Sequence, residues 1–317
     1  MQAGTRIVLR AGPYTASVLP RAGARLASLS WSDGERAHDL ILPIPGAVAF
    51  DPHHWPAGGA FPMAPYTNRL GGASFIWGKR QIHLTASPGA TYALLGFVHR
   101  ADWEVLSRAP AEAVLHYEHR AQYEGWPWPF AITMHVALDA DGAMVRLRIT
   151  NRSDDAMPAG LGWHPYHPTH GFGGHAQAQA QERLRLAAHA CRDVGLAGLA
   201  HLPPHEGPSN ARSFALGSAD LQHQTCVFED WSGEASLPLA EGLRIAVTST
   251  GARHLVLHAA KDLAHLCLEP VTLLPGALQV YDMAQSAKMI ALAPQCSREI
   301  IWRCAVAAQR SAAQQRH

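Results

Sequence analysis

Between Phe130 and Leu138, the apolar residues Phe130, Ile132, Met134, Val136 and Leu138 alternate with Ala131, Thr133, His135 and Ala137. After Asp141-Gly142, the run Val145-Arg146-Leu147-Arg148-Ile149 repeats the pattern. A period of two belongs to a strand with one buried face, and Asp-Gly is a turn signal, so this stretch predicts a β-hairpin. The same pattern recurs along the chain. Arg6 to Arg10, Tyr14 to Leu19 and Arg25 to Trp31 are short runs separated by Gly, Pro or Asp-Gly, and Glu182 to Leu186 again has a period of two. Leu243 to Ser249, His254 to His258 and His265 to Val271 follow at close spacing, and Arg298 to Ala305 closes the set. The Ala-Gln alternation from Ala176 to Gln181 has high helix propensity, and no long amphipathic helix appears anywhere. An all-β fold is expected, with residues 1–306 as one domain and residues 307–317, rich in Ala, Gln and Arg, as a frayed tail.

Charge narrows the partners. The 317 residues carry 26 Lys+Arg against 25 Asp+Glu, a net charge of +1, so neither nucleic acid nor an anionic membrane is indicated and a small neutral molecule is favoured. Five cysteines without a Cys-x-x-Cys pair argue against a disulfide framework and against a zinc site. With no apolar h-region in Met1 to Arg10 and no 18-residue apolar run, a cytoplasmic monomer or homodimer is the expectation.

Candidate chemistry gathers in three stretches. In Gly160-Leu161-Gly162-Trp163-His164-Pro165-Tyr166-His167-Pro168 the imidazole of His164 sits in backbone stiffened by two prolines, which fix their own φ and restrict the residue before them. His167 and His170 follow at three-residue steps, but Pro165 and Pro168 preclude the helix that would align three histidines on a metal. His53, His54 and Trp55 lie in a Pro/Gly-rich stretch read as a loop. The second stretch, Phe61 to Phe75, carries Asn68-Arg69, where a guanidinium offers fixed donors to hydroxyls or a developing oxyanion. In the third, Leu266-Cys267-Leu268-Glu269-Pro270-Val271, a glutamate ends an apolar strand, where desolvation raises its pKa and keeps it basic near neutral pH. A turn histidine, a surface arginine and a solvent-facing strand-end glutamate are the plain alternatives. Trp126 and Trp128 supply rings for stacking on a sugar face or for packing at the sheet edge.

Taken together and in this order, the Asn-Arg, Gly-x-x-His-Pro-Tyr and Glu-Pro-Val elements resemble the aldose 1-epimerase (galactose mutarotase) family over approximately Phe61 to Trp302. The resemblance implies the large antiparallel β-sandwich of the galactose mutarotase-like superfamily, a sugar substrate and no cofactor or metal. It makes Glu269 the catalytic base and His164 the acid, with Arg69, Asn68, Trp163, Phe97 and His99 as substrate-binding residues. Two positions depart from the family pattern. Leu95 stands where the family places its first active-site histidine, and Thr225 where many members carry a carboxylate. His99, four residues later, and His83, upstream, are the candidates to compensate for Leu95. Two rivals to an ordinary mutarotase follow: a sugar-binding relative without catalysis, and an enzyme for a modified or acidic sugar. Glu269 and His164 are expected to face each other across one pocket, about a sugar ring apart, with Arg69 at the rim. The rate is expected to be bell-shaped, with limbs near ~4.3 and ~6.5 and the glutamate limb shifted upward by burial.

Overall fold

The computed structural model describes residues 5–45, 50–172, 182–194, 211–221, 225–279 and 291–308. The predicted hairpin forms as Phe130–Leu138 paired antiparallel with Ala143–Asn151, Met134 opposite Leu147 and Val136 opposite Val145. It belongs to a nine-stranded sheet in the order Glu104–Ala109, Glu112–His119, Phe130–Leu138, Ala143–Asn151, Ser297–Ala308, Leu243–Thr250, Glu234–Ala240, Leu184–Ala188, Arg212–Leu216. The other large sheet has ten strands. It runs Ile7–Ala11, Tyr14–Leu19, Arg25–Ser32, Ala60–Met63, Gly162–His167, Leu266–Val271, His254–Ala259, Thr225–Glu229, Ala190–Asp193, with Ala37–Ile41 beside Arg25–Ser32.

The apolar faces of these sheets pack on each other as a β-sandwich. One cluster of buried side chains extends from Leu9 and Leu26 through Leu147 and Ile149 to Leu255, Leu268 and Trp302. At its centre Trp163 of the ten-stranded sheet meets Trp302 of the nine-stranded sheet, ring centroids 6.0 Å apart. Non-local, antiparallel pairing on this scale fits a chain whose segments are short and alternating. Helix is confined to Ser218–Leu221 and three short 3-10 turns among the described residues. No helix there is long and apolar enough to cross a membrane.

The structure corrects some boundaries. The last strand runs to Ala308, with Ala307 opposite Arg244 and Ala308 opposite Leu243, so two residues assigned to the tail are paired backbone. The helical reading of Ala176 to Gln181 lies outside the described residues. Trp126 and Trp128 are buried in the main core, Trp126 against Tyr66 and Phe75. All five cysteines are free thiols, Cys191 and Cys296 exposed and Cys226, Cys267 and Cys304 buried.

Candidate active site

The second face of the ten-stranded sheet carries the site. Alternation along Leu266–Val271 sends Leu266 and Leu268 into the main core and turns Cys267, Glu269 and Val271 to the other side. Along Gly162–His167 the same rule sends Trp163 into the core and leaves His164 and Tyr166 beside Glu269. The strands pair with Gly162 opposite Val271 and Tyr166 opposite Cys267, a register that brings His164 level with Glu269. Gly162 makes the approach possible. A Cβ there would lie 2.7 Å from Met63 Cε and 3.0 Å from Val271 Cγ1, tighter than a side chain tolerates.

His164 Nε2 lies 3.3 Å from Glu269 Oε1, and both side chains are almost fully buried. The expected gap of a sugar ring's width is therefore absent, and the two groups touch. Desolvation disfavours charge on each. It raises the Glu269 carboxyl from its ordinary 4.5 to about 8. It lowers the His164 imidazole from 6.5 to about 3, with the neighbouring His258 adding to the fall. Between those limits the pair holds one proton, shared between carboxyl and imidazole, and so belongs to a coupled system rather than to either residue. The second oxygen of the carboxyl, Oε2, has no hydrogen-bond partner among the described residues.

Around the pair is a cavity of about 300 Å³, at the lower end of the range for small-molecule sites. Asn68 and Arg69 line it, as do Trp55, Tyr166, Thr225, His258 and His265. Asn68 adopts a left-handed φ of 56° and its buried Nδ2 has no hydrogen-bond partner among the described residues, which leaves a donor for a ligand. Arg69 lies over the Tyr92 ring, 5.1 Å from its centre. Leu95 also lines the cavity, so the position of the family histidine is filled by an apolar side chain. Leu95 and Gly96 have φ of 60° and 67°, and a Cβ at Gly96 would meet the Ala64 carbonyl oxygen at 2.0 Å. The turn that presents Leu95 thus depends on glycine.

Three residues assigned to the sugar are not among those that line the cavity. Trp163 faces Trp302 between the sheets, since it alternates with His164. Phe97 packs in the main core against His119 and Phe130. His99 is buried behind the cavity, 5.0 Å from the Trp55 ring and 5.2 Å from Phe61, and burial holds its pKa well below the ordinary value. His83 is exposed on a separate hairpin, so neither histidine replaces the one missing at Leu95. His167 points away from His164 and its Nδ1 bonds the Leu40 carbonyl at 2.8 Å, while His170 is exposed, so the three do not converge on a metal.

The main residues missed from sequence are His258 and His265. Glu269, Cys267 and His265 are spaced by two, and extending the strand period back from Glu269 puts His265 on its face. His258 lies directly opposite Cys267, and its Nδ1 is 2.8 Å from Thr225 Oγ1. That pairing could not be read without the register.

A family model for aldose 1-epimerase matches residues 5–194. The chain belongs to the aldose 1-epimerase family. YphB, an uncharacterised protein of Escherichia coli K12, is 31% identical over 109 residues, a stretch that covers 34% of this chain and only 36% of YphB. Among solved structures, b2544 of Escherichia coli K12, a provisional aldose 1-epimerase, superposes with a TM-score of 0.72 at 23% identity, over 96% of this chain and 99% of that one. A galactose mutarotase-like protein of Clostridium acetobutylicum gives 0.72 at 16% identity, over 96% and 95%. At such identities these structures establish the fold. The aldose 1-epimerase assignment rests on the family match, and the sandwich with its pocketed sheet face agrees with it.

Proposed function

We propose that this aldose 1-epimerase family member is a mutarotase that interconverts the α and β anomers of a free sugar, with Glu269 and His164 as its proton pair. The reading is carried by one observation: among the described residues the one carboxyl lining the cavity touches an imidazole, in a site dry enough for the two to hold a single proton. In the reactive arrangement that proton is on His164. Glu269 removes the proton of the C1 hydroxyl while His164 protonates the ring oxygen. The C1–O5 bond breaks, the open aldehyde rotates about C1–C2, and closure on the other face returns both protons to where they began.

Contact between acid and base suits this chemistry. The C1 hydroxyl oxygen and the ring oxygen are bonded to the same carbon, so the two groups that serve them need not be a ring apart. A raised carboxyl pKa makes Glu269 a stronger base once its proton has passed to His164, and a lowered imidazole pKa makes His164 a stronger acid. Arg69 and Asn68 provide donors to sugar hydroxyls or to the developing oxyanion. The reaction runs on side chains alone, and a sugar is the only partner it requires.

Leu95 and Thr225 favour a second reading, a relative that binds sugar without turning it over. Anomeric exchange of a panel of aldoses, followed by polarimetry and by NMR exchange spectroscopy, separates the two. Equilibration well above the spontaneous rate is expected for at least one aldose. Saturable binding with exchange at the spontaneous rate would establish the binder instead.

A further inference from the structure

The wall of the cavity on the strand next to Glu269 carries a second polar arrangement, one that the proton transfer does not use. Along His254–Ala259 the alternate residues Val256 and His258 line the cavity, Val256 opposite Glu269 and His258 opposite Cys267. His258 is thus one strand over and two residues along from Glu269, the diagonal position of an antiparallel pair, where residues are about 7–8 Å apart. An imidazole rooted there stands off from the two oxygens bonded to C1, which the proton pair serves, and toward a hydroxyl farther round a sugar ring.

Strand pairing also fixes the ring. Thr225 lies directly opposite His258 at the start of Thr225–Glu229, and its Oγ1 is 2.8 Å from His258 Nδ1. Burial, and then the neighbouring His265 and Arg69, lower the His258 pKa, so the imidazole is neutral at pH 7 and has one N–H and one acceptor nitrogen. The Thr225 hydroxyl makes no other hydrogen bond among the described residues, so its proton goes to Nδ1. The ring proton is then on Nε2. That atom makes no hydrogen bond among the described residues and is not one of the buried unpartnered atoms, so it is accessible at the cavity wall. His265 lines the cavity too, but its ring packs edge-on to Tyr166 at 5.0 Å and no hydrogen bond to a described residue orients it. A donor rooted in one strand and steered from the next has little freedom to follow a hydroxyl that points elsewhere, which makes it selective.

We propose that His258 is a specificity-determining residue of this site. Held by Thr225, its Nε2–H donates a hydrogen bond to a sugar hydroxyl remote from the anomeric carbon, at C3 or C4. This rests on the reading of the cavity as a sugar site and adds the hydroxyl by which sugars are told apart.

A cycle between hydroxyl and side chain tests it. kcat/KM for anomeric exchange is measured for glucose, galactose and their 2-, 3-, 4- and 6-deoxy analogues with the full chain and with His258→Phe, which keeps an aromatic ring and removes the donor. Wild type should lose about three- to tenfold on the 3-deoxy or the 4-deoxy sugar, the worth of one hydrogen bond. His258→Phe should lose a similar factor on the parent sugar, mainly through KM, and nothing further on that analogue. Thr225→Val should weaken the same discrimination, and Thr225→Ser, which retains the hydroxyl, should keep it. A residue with a structural role alone would slow every sugar alike. If the phenylalanine variant does not fold, the two Thr225 variants carry the test. Discrimination that is unchanged in the folded variants would overturn the proposal, and so would coupling to the C2 or C6 hydroxyl instead. Dissociation constants for the same sugars keep the two conclusions apart. Binding with exchange at the spontaneous rate removes the mutarotase, and the cycle is then read from those constants. Fast exchange without the coupling keeps the mutarotase and removes the role of His258. Neither binding nor exchange of any sugar in the series would remove both.

Discussion

The two sheets use alternation differently. In Ala143–Asn151 of the nine-stranded sheet, Val145, Leu147 and Ile149 are buried while Arg146 and Arg148 are exposed, the pattern of a strand with core on one side and water on the other. In Gly162–His167 and Leu266–Val271 of the ten-stranded sheet every residue is buried. One face of those strands packs into the sandwich, and the other is covered by Trp55, Leu95 and the rest of the cavity wall. The comparison shows where the chemistry comes from. A glutamate on an outward face like that of Arg148 would be an ordinary surface acid, whereas the same residue on a second covered face becomes a carboxyl that holds its proton to about pH 8.

The largest expected effect comes from the covered face. Glu269→Gln keeps the shape and removes the base, so the rate of anomer exchange should fall about 10²- to 10⁴-fold, with sugar affinity within about tenfold of wild type. The same variant should be more stable at pH 8. The folded carboxyl keeps its proton up to about 8, while an unfolded one releases it near its ordinary value. The native state thus binds more protons over that window, and wild-type stability falls as pH rises through it. Thermal melts of both proteins at pH 5 and pH 8 check the sign. A variant that is no more stable at pH 8 would mean that Glu269 is not desolvated.

Next in size is a core truncation in the other sheet. Leu147→Ala should cost about 2–5 kcal/mol in urea unfolding and leave the pH dependence of exchange unchanged, because Leu147 touches the core and not the cavity. A changed pH profile would break the separation between the two sheets.

The pH profile itself should be broad. With pKa values of about 3 and about 8 the one-proton pair persists across the neutral range, so the rate should be level there, decline above about 8 as the shared proton is lost, and decline near 3 as a second is gained. This replaces the narrow bell expected from values near those of free side chains. A maximum near pH 5.5 with steep limbs would mean that the pair is solvated during turnover.

Leu95→His should raise activity toward ordinary neutral hexoses, several-fold rather than by orders of magnitude, since it restores a donor beside an intact proton pair. A loss of activity would mean that leucine makes room for part of the substrate. The smallest effect belongs to the outward face of the nine-stranded sheet, where Arg148→Gln should change stability by no more than about 0.5 kcal/mol.

Much of this molecule was legible in the residues. Short alternating runs separated by turn signals can only be half-buried strands, and the Phe130 to Ile149 hairpin follows from that pattern alone. The motif around His164, the Asn68-Arg69 pair and the Glu-Pro element marked three of the segments that line the cavity, and the two departures at Leu95 and Thr225 proved to be wall positions. Trp163 was misplaced because proximity to a motif in sequence does not fix the side of the sheet, and a one-residue step in a strand reverses it. Phe97 and His99 lie at the start of and within the 3-10 turn Val98–Arg100, where both side chains are buried away from the cavity lining.

The sequence by itself determined the strands, the family and the identity of the acid and base candidates, because local period and local motifs depend only on neighbours along the chain. Tertiary structure decided the rest. Register put His164 level with Glu269 across 105 positions, a second covering layer dried the pair and moved their pKa values apart, and strand pairing brought Thr225 and His258 to the same wall. Desolvation and electrostatic potential are properties of what surrounds a group in space, and no stretch of sequence contains its own surroundings.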